Sequence, residues 1–264
     1  MHIENCNCSR EVKGLTEFKN QSSVLGSVRR CVQAYGMIEK GDVIAVGASG
    51  GKDSTALLCA LALMRRFYPV KYDVKAISID LGLEGMDFSP LTELCKSLEV
   101  QHIIVKTEIS DVVFNAKKES SPCSLCSKMR RGALHREAER LGCTKVALGH
   151  NKDDVSVTFM LNVLYAGKIE VFWPKNTPDE RGMTLIRPLI YTSEKTVKEF
   201  CRKNNLPIVK NACPMDKHTE RERVKNMIAE LEKEHRGVTH RIFRAIEKSE
   251  IDGFVNPDKS NGDF

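Results

Sequence analysis

Apolar residues along the chain follow two alternating rhythms. Short, largely β-branched runs at Val43–Val46, Val74–Ile79, His102–Val105, Lys145–Leu148 and Met183–Ile186 have strand character. Between them, Thr55–Met64, Leu91–Leu98, Ser124–Leu141 and Asp154–Tyr165 carry helical spacing. Upstream, Val24, Val28, Cys31, Val32, Tyr35 and Met37 predict an amphipathic helix leading into Gly41 and Asp42. Strands that alternate with helices and are apolar on both faces predict an α/β fold, a parallel five-stranded sheet flanked by helices. Beyond Ser193 the pattern is mostly helical and ends in a polar tail, so helical extensions are expected at both ends.

Composition narrows the setting. The 264 residues are 41% hydrophobic and 29% charged, enough for one substantial core with helical attachments. Charge interrupts every apolar stretch before the roughly 20 residues a bilayer requires, which speaks against a membrane protein. The segment from Met1 to Cys6 lacks the basic-then-apolar pattern of a signal peptide, so a cytoplasmic protein is expected. Ten cysteines in that setting are expected as buried thiols or metal ligands rather than disulfides. The net charge of +6 permits a polyanionic partner. Basic residues cluster at Lys128, Arg130, Arg131 and Arg136, and again at Lys217, Arg221, Arg223 and Lys225; a solvated helix face accounts for each cluster as well as an RNA contact does.

The densest chemistry follows the first strand. Val43–Val46 leads into Ala48, Ser49, Gly50, Gly51, Lys52, Asp53 and Ser54, and helical spacing begins at once. Paired glycines let backbone amides approach a phosphate, and a helix N-terminus favours the negative charge. The serine hydroxyls can donate, Lys52 supplies charge, and Asp53 can help hold Mg²⁺. The spacing is not that of a Walker loop, which keeps four residues between its first glycine and its Gly-Lys pair. Asp80 ends the second strand, where it is expected either to meet a bound nucleoside or to serve as a turn residue.

A second constellation is built on sulfur. Cys123 and Cys126 open a helical segment at a spacing that suits zinc, an iron–sulfur cluster or a redox pair. The helix start and the nearby Arg130 and Arg131 are expected to lower the thiol pKa values. Cys213, in a loop-like context before a basic helix, is the best remaining partner. Cys59, Cys143 and Cys201 lie in apolar patterns and are expected to be buried; Cys6 and Cys8 have no evident role.

The stretch Ser49–Ser54 matches the Ser-Gly-Gly-x-Asp-Ser pattern of the PP-loop, or N-type ATP pyrophosphatase, superfamily. With Pro122–Gly132, Leu148–Asp154, Ile186–Ile190 and Cys213, the chain resembles the tRNA 2-thiocytidine synthetase family, the TtcA-type thiolases, over about residues 24–245. The resemblance implies ATP and Mg²⁺ bound by Ala48–Ser54, Asp80, Gly149 and Asp154. It also implies a 4Fe-4S cluster on Cys123, Cys126 and Cys213, with an open iron able to carry sulfide. The implied reaction is adenylation of a tRNA pyrimidine at its C2 oxygen, cytidine by this resemblance, followed by sulfur attack. Asp154, Arg130, Cys126 and Cys213 are the implied catalytic residues. A sulfide or persulfide donor such as a cysteine desulfurase, and a homodimer, belong to the same expectation. The chain has His150, Asn151 and Lys152 where the family commonly has His-His-Arg, which leaves the modified base open. Three alternatives stand beside it: thiolation or amidation of a small molecule, persulfide chemistry without a cluster, and a non-enzymatic RNA-binding metal protein. The expected division is a polar segment and helix over 1–40, the PP-loop domain over 41–192, and a helical region over 193–264 that carries the third cysteine.

Overall fold

The computed structural model describes residues 18, 21–113, 122–176, 182–209, 213 and 220–258. Cys6, Cys8 and Lys217 lie outside the described residues. Five strands, β1 (Val43–Gly47), β2 (Asp73–Asp80), β3 (Gln101–Lys106), β4 (Lys145–Ala147) and β5 (Thr184–Ile186), form one parallel sheet in the order β3-β2-β1-β4-β5. The expected fold class is therefore the one observed. Strand order reverses between β1 and β4, and a crevice opens beyond the carboxyl ends of strands at such a point.

Alternation along the strands divides the interior in two. Ile44 and Val46 join the larger core, while Ala45 faces the smaller one. The larger core is organised around α2 (Lys52–Met64), in which every residue from Ser54 to Met64 is buried. Its Ala- and Leu-rich sequence favours helix and leaves no polar face, as suits a helix covered all round. Around it pack α1 (Gln21–Ala34), α3 (Ser89–Ser97), and two helices of the C-terminal region, α7 (Glu194–Lys203) and α9 (Val238–Lys248). Burying each of Leu57, Leu58 and Leu61 contributes about 1.5–3 kcal/mol. The smaller core lies under α5 (Pro122–Arg140), through Leu134 and Ala138. A short α4 (Ile109–Asp111) precedes α5, α6 (Lys152–Leu161) follows β4, and α8 (Glu220–Glu234) packs on α6.

Two helices stop earlier than their apolar pattern predicts. The pattern carried α1 to Met37, but Gly36 adopts φ +52° and turns the chain, and the amide of Met37 donates back to the Val32 carbonyl at 2.9 Å. Met37 stays buried because the turn folds it onto the same core. The helix expected over Asp154–Tyr165 loosens after Leu161 into a π-helical turn, Asn162–Ala166, which Gly167 closes at φ +62°.

At the amino ends of the central strands, Lys145 and Asp42 form a 2.7 Å ion pair with side chains only 6% and 9% exposed. Thr144 Oγ1 also donates to Asp42 at 2.8 Å, so the pair is satisfied on the side of the sheet opposite the crevice. Lys145→Met leaves the carboxylate stranded and is expected to cost about 3–5 kcal/mol in chemical denaturation. A loss below about 1 kcal/mol would mean that water solvates the pair.

Candidate active site

β1 ends at Gly47 and α2 starts at Lys52, so Ala48–Gly51 must reverse the chain in a tight loop. Gly50 manages this at φ +79°, where a side chain would also collide with Val209. Its carbonyl accepts the Val209 amide at 2.9 Å. No side chain caps the start of α2, which leaves its first-turn N–H groups and its dipole to an incoming anion. The Ser49 and Ser54 hydroxyls stand 3.1 Å apart, and Ser54 Oγ donates to the Gly51 carbonyl at 2.9 Å. The loop forms one wall of a cavity of about 520 Å³, with Ser49, Gly51, Asp53 and Ser54 facing it.

The opposite walls come from the strand ends and from α5. Ile77 and Ile79 of β2 supply apolar surface, and Ser127, Arg130, Arg131 and Leu134 of α5 close one side. Asp80 is not among the lining residues; it accepts the Gly82 amide at 3.0 Å and so takes the turn role. Lys52 is also turned aside, bridging Asp53 at 2.6 Å and Glu194 at 3.0 Å. Burial would raise Glu194, but Lys52 and then Lys225 reverse this and hold its carboxyl at about 2.

Gly149 lies where β4 meets the loop. A Cβ on it would come within 2.9 Å of the Asp53 carbonyl carbon and the Ser54 nitrogen, so only glycine lets the two backbones touch. Two residues on, Asn151 is 2% exposed and caps α6 by accepting the Asp153 and Asp154 amides at 2.9 and 3.1 Å. Asp154 completes a capping box, accepting the Asn151 amide at 3.0 Å, while Arg221 of α8 grips its other oxygen at 2.7 Å. Asn151 Nδ2 crosses to Asp53 Oδ1 at 2.8 Å. The cap position was legible as an Asn three residues before an acid; the bond to Asp53 spans 98 residues and has no local signal.

His150, Phe172 and Arg187 complete the cavity and carried no assigned role in the sequence. The Arg187 guanidinium lies 4.8 Å over the Phe172 ring and donates to His150 Nδ1 at 3.3 Å. Burial, followed by the charge of Arg187, depresses His150 to about 4. Burial and then Arg131 lower Arg187 to about 10. His150 is therefore a neutral imidazole, with Nδ1 as acceptor.

Of the three singled-out cysteines, Cys126 lies close enough to the other two to feel both, and none is among the residues that line this cavity. Cys126 lies one turn before Arg130 on α5 and interacts electrostatically with both Cys213 and Cys123. Its thiol is not activated as expected. Burial pushes its pKa up, and the neighbouring thiols add to this against the lowering effect of Arg130. Cys59, Cys143 and Cys201 are buried. Among the described residues, no group of three or more His, Cys, Asp or Glu side chains is arranged to hold a single metal ion.

The two basic clusters diverge. Lys128, Arg130, Arg131 and Arg136 are exposed along α5. In the other cluster, Arg221 pairs with Asp154, Lys225 with Glu194 and Arg223 with Glu220, so its charge is largely spent within the fold.

His150 gives the site a pH signature. Its folded pKa of about 4 lies below the usual 6.5, so the unfolded chain takes up the proton first. Stability is then lost as pH falls through this window, by up to about 3 kcal/mol. His150→Gln is expected to flatten that part of the curve, measured by urea denaturation at stepped pH; an unchanged slope would remove His150 as its source.

Comparison with known proteins agrees with this geometry. The family profile of the PP-loop domain matches residues 24–232. The chain is 37% identical over 226 residues to the tRNA-cytidine(32) 2-sulfurtransferase of Geobacter sulfurreducens, covering 84% of this chain and 88% of that one. It is also 37% identical over 234 residues to the enzyme of the same name from Pseudomonas entomophila, covering 86% and 85%. The fold superimposes on the U34-tRNA thiolase NcsA from Methanococcus maripaludis, solved with its [4Fe-4S] cluster, with a TM-score of 0.68 at 24% identity over 87% of this chain and 79% of that one. Among the described residues no helix is long and apolar enough to cross a membrane. The chain belongs to the PP-loop family and, within it, to the tRNA-cytidine(32) 2-sulfurtransferases.

Proposed function

We propose that this protein is an ATP-dependent tRNA thiolase that replaces the C2 oxygen of a tRNA cytidine with sulfur. The observation that carries the proposal is one cavity bounded both by the phosphate loop and by α5, with Cys126 one turn from the cavity residue Arg130.

ATP binds with its phosphates at the uncapped start of α2, against Ser49, Gly51 and Ser54. Asp53, aided by Asp154, would hold Mg²⁺. Each Asp53 oxygen accepts one hydrogen bond, from Asn151 or Lys52, which leaves lone pairs for a cation. The C2 oxygen of the base attacks the α-phosphorus, the bond to the β-phosphate oxygen breaks, and pyrophosphate leaves. Arg130 and Arg131 lie where they balance negative charge on the transferring phosphoryl group. His150, neutral and acceptor-only at Nδ1, adds no cation of its own to the site. Sulfur then attacks C2 and AMP departs, leaving the thiocarbonyl.

Cys123, Cys126 and Cys213 are the residues that would hold a 4Fe-4S cluster, which when bound would present sulfide from an external donor to the activated base. The coupling of Cys126 to both Cys123 and Cys213 and the soft sulfur of all three support this reading, while burial keeps the Cys126 thiol protonated until a metal displaces the proton. The further elements of the reading are a sulfide or persulfide donor such as a cysteine desulfurase and a homodimer, both suggested by the family resemblance, and a cytoplasmic setting, suggested by the N-terminal sequence. The exposed arginines and Lys128 of α5 supply salt-dependent phosphate contacts for the tRNA, and the target base must be splayed out to enter.

Anaerobically purified protein, incubated with tRNA, ATP and sulfide, is expected to yield 2-thiocytidine by nucleoside mass spectrometry, together with AMP and pyrophosphate. Cys126→Ala is expected to lose the thionucleoside and the visible iron–sulfur absorption while still binding ATP. A colourless, iron-free protein that thiolates tRNA would remove the cluster, and failure to form AMP with any RNA would remove the enzyme.

A further inference from the structure

The geometry points to Asn151 as a positioning residue, one that fixes Asp53 and Asp154 relative to each other at the nucleotide site. This rests on the nucleotide assignment above and deepens it. Asn151 is 2% exposed, and its amide is used at both ends. Oδ1 accepts the Asp153 and Asp154 amides at 2.9 and 3.1 Å, while Nδ2 donates to Asp53 Oδ1 at 2.8 Å. Its backbone amide donates to Asp154 Oδ2 at 3.0 Å. One residue therefore binds two carboxylates that stand at the starts of two different helices, α2 and α6.

Two carboxylates that are to share a cation must be held in place before it arrives, against the repulsion that their approach brings. Lys52 and Arg221 offset the charge from the outside, at 2.6 and 2.7 Å. Neither reaches both acids; Asn151 does. The direct backbone contact at Gly149 removes slack from the same junction, so the amide acts on a fixed separation.

The residue type is tested by what each replacement keeps. Serine and threonine are good caps and accept from the α6 amides, but they are too short to donate across to Asp53. Histidine, like the amide, offers one acceptor and one donor. The two functions of Asn151, cap and clamp, can thus be separated.

The experiment titrates Mn²⁺ into the full-length protein with α,β-methylene ATP, read by electron paramagnetic resonance, alongside thermal unfolding. Asn151→Ser is expected to unfold near the wild-type temperature and to bind Mn²⁺ about tenfold or more weakly, the scale of a lost hydrogen bond to a charged group. Its affinity for tRNA is expected to be unchanged. Asn151→His is expected to retain the wild-type Mn²⁺ affinity, and Asn151→Thr replaces the serine variant if that one does not fold. Wild-type Mn²⁺ affinity in a folded serine or threonine variant overturns the inference. If the wild-type protein itself binds no Mn²⁺ with the nucleotide, the nucleotide assignment falls and the clamp with it, an outcome distinct from a difference between variants.

Discussion

Two helices start against each other at the centre of this molecule, and the site depends on that junction. α2 and α6 follow adjacent strands, so the positive ends of both dipoles meet at the strand reversal between β1 and β4. Asp53 and Asp154 in the first turns answer that charge, and glycine at position 149 lets the backbones close to contact. The sheet brings the elements together; the junction decides what they can bind. One helix start is capped by its own side chains and the other is not, and the first turn of the uncapped one lines the cavity.

The C-terminal helices are fastened to the loop that binds phosphate. The thiol of Cys201 on α7 donates to the Lys52 carbonyl at 3.4 Å, and Lys52 and Lys225 share the Glu194 carboxylate. Arg221 of α8 holds Asp154. Positive side chains that look like an RNA-binding cluster in the sequence are thereby turned into counter-ions for the nucleotide site. α5 is left as the exposed basic helix beside the cavity.

The fold was largely legible because its strands are apolar on both faces and its turns carry glycine at the required places. The five strand positions were found to within a residue or two, since periodicity alone marks them. The limits of α1 and α6 were not, because Gly36 and the turn after Leu161 end these helices while the apolar residues continue into the core. In the site, Ser49–Ser54 and the pair Cys123 and Cys126 stand out by local spacing, whereas Cys213 has no such signal. Asn151, His150, Phe172 and Arg187 gain their roles only when β4, β5 and the loop before β5 come together. Asp80 and Lys52 sit at the expected places in the chain, and a turn bond engages the first and an ion pair the second, contacts that no local pattern announces.

The bond from the Val209 amide to the Gly50 carbonyl has its own consequence. Val209 lies four residues before Cys213, so the chain that leads to this cysteine is stitched to the loop between β1 and α2. For that amide proton to exchange with solvent, the stitch must open. Deuterium uptake at this one position therefore becomes a clock for the loop, slowing whenever a ligand holds the turn closed. A motion of the nucleotide site is thus written into the exchange rate of a residue that never touches the nucleotide loop's side chains with a charge of its own.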